Sequence, residues 1–119
     1  VMDSWLYFNF ASYEMLENQI FHFIGNNAVD FSNPNLEKFR TSFQERFLSQ
    51  PPANAYLGYE LLYWVTETIG PSKGFDFRKN LDQRGFQKGR ILYGSDFNQS
   101  NNNSYVPVLF LENGVLVEK

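Results

Sequence analysis

Hydrophobic and polar positions along this chain follow a helical period in the middle and a period of two towards the end. In "SNPNLEKFRTSFQERFLSQPP", Leu36, Phe39, Phe43 and Phe47 recur at spacings of three and four, with Lys38, Arg40, Gln44 and Glu45 on the opposite side. That spacing predicts an amphipathic helix laid against a core. Asn33 suits its N-cap, Pro34 its first position, and Pro51-Pro52 forbids continuation past Gln50. A second helix is predicted over residues 56–70, "YLGYELLYWVTETIG", stopped by Gly70 and Pro71. Tyr56, Leu57, Leu61, Leu62, Trp64, Val65 and Ile69 cover most of its circumference and leave Glu60, Thr66, Glu67 and Thr68 as a polar minority. A helix so apolar is expected to be buried on more than one side. Gly58 in its first turns costs about 1 kcal/mol relative to Ala, which leads us to expect a close backbone approach there.

Shorter elements flank this pair. "SYEMLEN" predicts a helical turn capped by Ser12, with Met15 and Leu16 turned inward. Residues 20–24, "IFHFI", read as a strand ending in a turn at Gly25-Asn26-Asn27, with Val29 to Phe31 a second extended piece. "FDFRKNLDQRGF" predicts a third, short helix with Phe77 and Leu81 inward and Gly85 near its end. Beyond it, "RILYGSDF" and "YVPVLFL" are strand-like and flank the polar loop "NQSNNNS". Asn113-Gly114 between apolar runs is a strong hairpin signal, because both residues tolerate positive φ. Pro107 cannot donate to a ladder, so its strand is expected to be an edge strand or bulged there. The reading is a single domain or fragment over 1–119 of α/β class, with a strand/helix segment at 1–32, a helical segment at 33–85 and a β segment at 86–119.

Composition narrows what such a chain can do. Its 119 residues are 43% hydrophobic and 18% aromatic, which excludes disorder and is enough to bury a core. A net charge of -3 and a pI near 5.0 argue against attraction to nucleic-acid phosphates. The densest basic stretch, Arg78, Lys79, Arg84, Lys88 and Arg90, is interrupted by Asp82 and reads as a solvated face. Without cysteine there are no disulfides, thiolate nucleophiles or zinc-thiolate sites. No apolar run approaches the roughly 18 residues that span a bilayer. The amino end lacks a signal-peptide pattern, which leaves the compartment open.

Candidate chemistry is sparse. His22 is the single histidine and sits in an apolar strand with no neighbouring Asp or Cys, which argues against a catalytic triad or a histidine-based metal cluster. A half-buried, hydrogen-bonded role suits it better. Gly85, Gly89 and Gly94 lie on strand and turn positions, not between a strand and a helix where a phosphate would be cradled. Trp5, Tyr7, Tyr13 and Tyr105 are candidates for stacking on a ligand, although packing is the commoner use of such rings. These features predict no enzyme, no catalytic residue, no metal and no cofactor.

At the two long helices the chain resembles a family. Phe39, Phe43, Phe47 and Pro51, then Ala55, then Gly58-Tyr59-Glu60 are similar to the pattern F-x-x-x-Y-x-x-x-Y-x-x-x-P…A-x-x-x-Y-D-A of the type I periplasmic binding proteins, the branched-chain amino-acid-binding type of ABC-transporter receptor. Leu81, Phe86, Gly89, Gly94 and Phe97 follow that family's late F-x-G-x-x-G-x-x-x-F segment, and "YVPVLFLENGVLVEK" resembles its closing hairpin. Glu60 stands where the family has Asp, and the Gly89 to Gly94 spacing is longer than its pattern. The resemblance covers the closing portion of a family member. It implies a fragment of a doubly wound fold, with two main helices plus a C-terminal β-hairpin, in which ligand binds between two lobes that close about a hinge. It further implies a small polar ligand such as an amino acid, a membrane permease as partner of the parent protein, and a periplasmic or cell-envelope location. Ser4 and Trp5 would fall in a loop that contacts the ligand. Phe39, Phe47, Leu61 and Trp64 would be lobe core, and "YGSDF" a crossover. With half of the cleft missing, the isolated chain is expected to bind amino acids poorly. The alternative is a structural or protein-interaction domain, as a homodimer, without small-molecule binding.

Overall fold

The computed structural model describes residues 12–25, 28–70 and 76–119. In chain order the elements are α1 (Tyr13–Asn18), β1 (His22–Ile24), α2 (Pro34–Phe47), α3 (Ala53–Ile69), α4 (Phe77–Arg84), β2 (Phe86–Lys88), β3 (Gly94–Asp96), β4 (Val108–Glu112) and β5 (Val115–Glu118). Helix and strand are mixed, as the pattern predicts. Local chemistry accounts for the helix starts. The side chains of Ser12, Asn33 and Asp76 accept from the N–H groups of Met15, Asn35 and Lys79, which satisfies first-turn donors that have no partner inside the helix. α2 stops at Leu48, which adopts a left-handed φ of 54°. α3 begins directly after Pro52, ahead of the expected Tyr56; Pro52 stands at the N-cap in an extended conformation without a side-chain cap, and its carbonyl accepts from Ala55 N at 2.9 Å.

β1, β4 and β5 form one antiparallel sheet in the order β1-β4-β5, with Phe23 opposite Leu109 and Leu111 opposite Leu116. β2 and β3 form a separate antiparallel pair. The hairpin joining β4 to β5 turns at Asn113 and Gly114, whose φ values of 53° and 75° are those of a type I′ turn. Pro107 does not mark an edge. It is buried one residue ahead of β4, the central strand, where no ladder hydrogen bond is required of it.

Two apolar clusters hold these elements. Leu16, Phe23, Ala28, Tyr93, Leu109, Leu111 and Leu116 seat α1 on the three-stranded sheet. Val29, Leu36, Ile91 and Leu92 form the second, with Phe39, Tyr56, Leu57 and Tyr59 packed against it. The consecutive residues Ile91, Leu92 and Tyr93 contribute to both, so one short segment joins sheet and helices. Val29 bridges to Leu92, and among the described residues this bridge is all the pairing the expected second extended piece makes. Met15 departs from expectation: Leu16 is fully buried while Met15 is 42% exposed, because a six-residue helix offers the sheet only a narrow face.

The long helices also depart from expectation. Along α2 the rings of Phe39, Phe43 and Phe47 follow one another, but ring contacts to α3 come from Phe39, at 5.4 Å from Tyr56 and 4.6 Å from Tyr59. Phe47 is 56% exposed. On α3, Leu61 and Leu62 are 58% and 68% exposed, and its one buried residue is the polar Thr68. α2 covers one flank of α3, Trp64 meets Phe77 and Phe97 on another, and the side carrying Leu61 and Leu62 is left to solvent. Phe47 and Leu61 are therefore not core in this chain. Nor does any neighbour among the described residues approach Gly58, since a Cβ there would meet none of them within 4 Å. Thr68 is buried because α4 docks through it: its carbonyl accepts from Asn80 Nδ2 and its hydroxyl from Arg84 Nη1.

Tyr93 gives this packing a titratable reporter. Burial, reinforced by the charges of Asp30 and Glu118, pushes its hydroxyl up from an ordinary 10.0 to about 12. Between those values the unfolded chain loses the phenolic proton and the folded chain keeps it. The contribution is therefore complete below pH 10 and is lost as pH rises through about 12. Alkaline melting curves should show this loss in the natural chain and a shallower one in Tyr93→Phe.

Candidate functional site

Glu60 is the one acid on α3 whose carboxylate reaches the turn between β2 and β3. Its Oε1 accepts from Arg90 N at 2.9 Å, and its Oε2 from Ile91 N at 2.8 Å, Arg90 N at 3.1 Å and Leu92 N at 3.2 Å. Three successive N–H groups converging on one anion form a backbone nest, and hydrogen bonds to a charged acceptor are worth about 1.5–3 kcal/mol each. Gly89 makes the turn sterically feasible. A Cβ there would lie 2.1 Å from the Leu92 carbonyl oxygen and 3.0 Å from Glu60 Oε1. Across the turn, Asp30 N donates to Ile91 O at 2.9 Å, which brings the loop ahead of α2 alongside.

The same turn fixes Arg90. Its Nε donates to Tyr59 Oη at 2.8 Å, and its guanidinium lies 4.8 Å from the centre of the Tyr63 ring. The Tyr59 hydrogen bond, more than any other contact, raises its pKa further still. Arg90 borders an open cavity of about 400 Å³ with Lys88, Gly89, Tyr63, Asp30 and Ser32. Asp30 is 6% exposed, and its Oδ1 accepts from Ser32 N at 3.0 Å and Ser32 Oγ at 2.5 Å. At the start of α2, the Asn35 and Leu36 N–H groups are taken by the side chain and carbonyl of Asn33. The charged groups on this cavity are thus one buried carboxylate and two cations, one of them held rigidly. They suit binding of a small ligand bearing both signs of charge.

A second groove, of about 240 Å³, runs beside Leu57, Leu61, Trp64, Leu92 and Phe97 and is predominantly apolar. No group of three or more His, Cys, Asp or Glu side chains among the described residues is placed to hold a metal.

Ser4, Trp5 and Tyr7 lie outside the described residues, as does the side chain of Tyr13. Tyr105 is a packing residue: it is half-buried, with its ring 4.8 Å from that of Phe86 and its hydroxyl on Glu118. His22 is half-buried with its ring 6.3 Å from that of Phe110. The basic stretch is not one solvated face. Arg78 pairs with Asp82 and grips the carbonyls of Phe97 and Ser100, Arg84 holds Gln87, and Arg90 holds Tyr59. Sequence reasoning missed Asp30, Ser32, Tyr63, Lys88 and Arg90 as neighbours. The available signal was Glu60 amid the apolar middle of α3 together with a Gly-Arg step between two short strands. Comparison of the chain with family models, with curated proteins and with solved structures returns no match.

Replacing Glu60 by Ala strands three backbone donors, and Gly89→Ala forces the turn open. Each should lower unfolding free energy by roughly 2–4 kcal/mol. Glu60→Gln, with one acceptor oxygen left, should fall between Ala and the natural chain. Urea denaturation of the four proteins tests the order.

Proposed function

We propose that this chain is a component or shortened homologue of a type I solute-binding receptor, binding a small polar solute such as an amino acid and performing no catalysis. The observation that carries the reading is the cavity bordered by Asp30, Lys88 and Arg90. Carboxylate and cations at one cavity are complementary to the ammonium and carboxylate of an amino acid. The volume of about 400 Å³ lies within the roughly 300–1,000 Å³ of small-molecule sites. The cavity is open, as one wall of a two-walled cleft would be. The strand pairs among the described residues are all antiparallel, so under this reading the parallel strands of a doubly wound lobe belong to other parts of the parent protein. Ser4 and Trp5 stay as proposed ligand contacts. A membrane permease is the proposed partner, and the periplasm or cell envelope the proposed location. No helix among the described residues is long and apolar enough to cross a membrane.

A second reading, a structural or protein-interaction domain that pairs with another copy, is favoured by one observation: the outward Leu61 and Leu62 beside an apolar groove. Light scattering separates the two, because a stable dimer without any ligand-dependent melting shift supports the second.

Calorimetric titration of the chain with a panel of amino acids should give weak binding, with Kd near or above about 1 mM, abolished in Arg90→Gln. Micromolar binding by the monomer would contradict the half-cleft reading.

A further inference from the structure

Glu17, like Glu60, grips backbone N–H groups with both carboxylate oxygens. From α1 its Oε1 accepts from Asn113 N at 2.7 Å and its Oε2 from Gly114 N at 3.1 Å. These are the two central residues of the hairpin turn, and both are exposed. Asn followed by Gly is also the pair least hindered towards cyclisation, since no side chain shields the glycine nitrogen. We propose that Asn113 is a site of spontaneous covalent modification, deamidation through a succinimide, which Glu17 holds in check while α1 is docked.

The chemistry needs only water. Gly114 N loses its proton and attacks Asn113 Cγ, the N–Cγ bond forms, the Cγ–Nδ2 bond breaks and ammonia leaves with the proton. Water then opens the ring to aspartate or isoaspartate. Glu17 opposes the first step in two ways. A carboxylate accepting the Gly114 N–H disfavours the amide anion that must form, since negative charge would sit beside negative charge. Its grip also keeps the turn in the mirrored type I geometry, with ψ of Asn113 near about +30°, whereas ring closure requires a strongly negative ψ. Release of α1, which is anchored by the buried Leu16, removes both restraints. Either product places a new carboxylate beside Glu17, and isoaspartate lengthens the turn backbone, so the change disfavours redocking of α1.

The test is peptide mapping by mass spectrometry over days at mildly alkaline pH. It compares the natural chain, Glu17→Gln, Glu17→Ala and a short unstructured peptide of the sequence LENGVL. Asn113 in the natural chain should convert at least several-fold more slowly than the peptide. Glu17→Ala should approach the peptide rate, and Glu17→Gln should lie between. Equal rates in the natural chain and the peptide would overturn the proposal whether or not the variants fold. So would equal rates in the natural chain and Glu17→Ala, with the β4 and β5 amides shown by hydrogen exchange to remain protected.

Discussion

The carboxylate of Glu60 on the amides of residues 90–92 is the interaction on which the remaining structure depends. It ties the middle of α3 to a turn that would otherwise present unsatisfied donors, and that turn leads directly into Ile91, Leu92 and Tyr93. Those three residues supply both apolar clusters, so displacement of the turn would disturb the packing of α2 and α3 as well as the seating of the sheet. The requirement for glycine at position 89 follows from the same contact, because the carboxylate and the Leu92 carbonyl occupy the space that a side chain would need. Arg90 acquires its fixed position as a by-product: once its backbone is held, Tyr59 and Tyr63 lie within reach of its guanidinium.

This arrangement joins stability to the proposed binding role. A binding group is useful in proportion to how little it must be ordered when ligand arrives. Arg90 is already ordered by α3, and Asp30 by Ser32 and the start of α2. The cavity wall is therefore built from groups whose positions the fold has set in advance. The outward side of α3 bears on the same question. Exposed leucines beside a groove are the expected consequence of a helix covered on two flanks by the described residues, and both proposed readings give that surface something to meet.

Features set by residues within a turn or two of one another were legible in the sequence. The caps at Ser12 and Asn33, the ends of the helices near proline and glycine, and the Asn113-Gly114 hairpin all follow from local steric and hydrogen-bonding preferences. Burial was less legible. Periodicity identified the apolar face of α2, yet Phe47 on that face is exposed, and α3, although covered on two flanks, leaves Leu61 and Leu62 to solvent. Periodicity reports which side of a helix is apolar, while burial depends on how far the neighbouring elements extend. The candidate site was not legible at all. Glu60 and Arg90 are thirty residues apart, Asp30 lies thirty residues before Glu60 in the opposite direction, and nothing in a single sequence pairs them.

Amide hydrogen exchange at Arg90, Ile91 and Leu92, in the natural chain and in Glu60→Ala, tests the central claim most directly. If Glu60 organises the turn, these three amides are protected in the natural chain although Arg90 borders the open cavity and Leu92 the apolar groove. Their protection then collapses in the variant, while that of Leu109 and Leu111 in β4 falls far less. Exchange at Arg90, Ile91 and Leu92 as fast as in the exposed loop around Asn101 in the natural chain, or protection unchanged by loss of the carboxylate, would contradict the account.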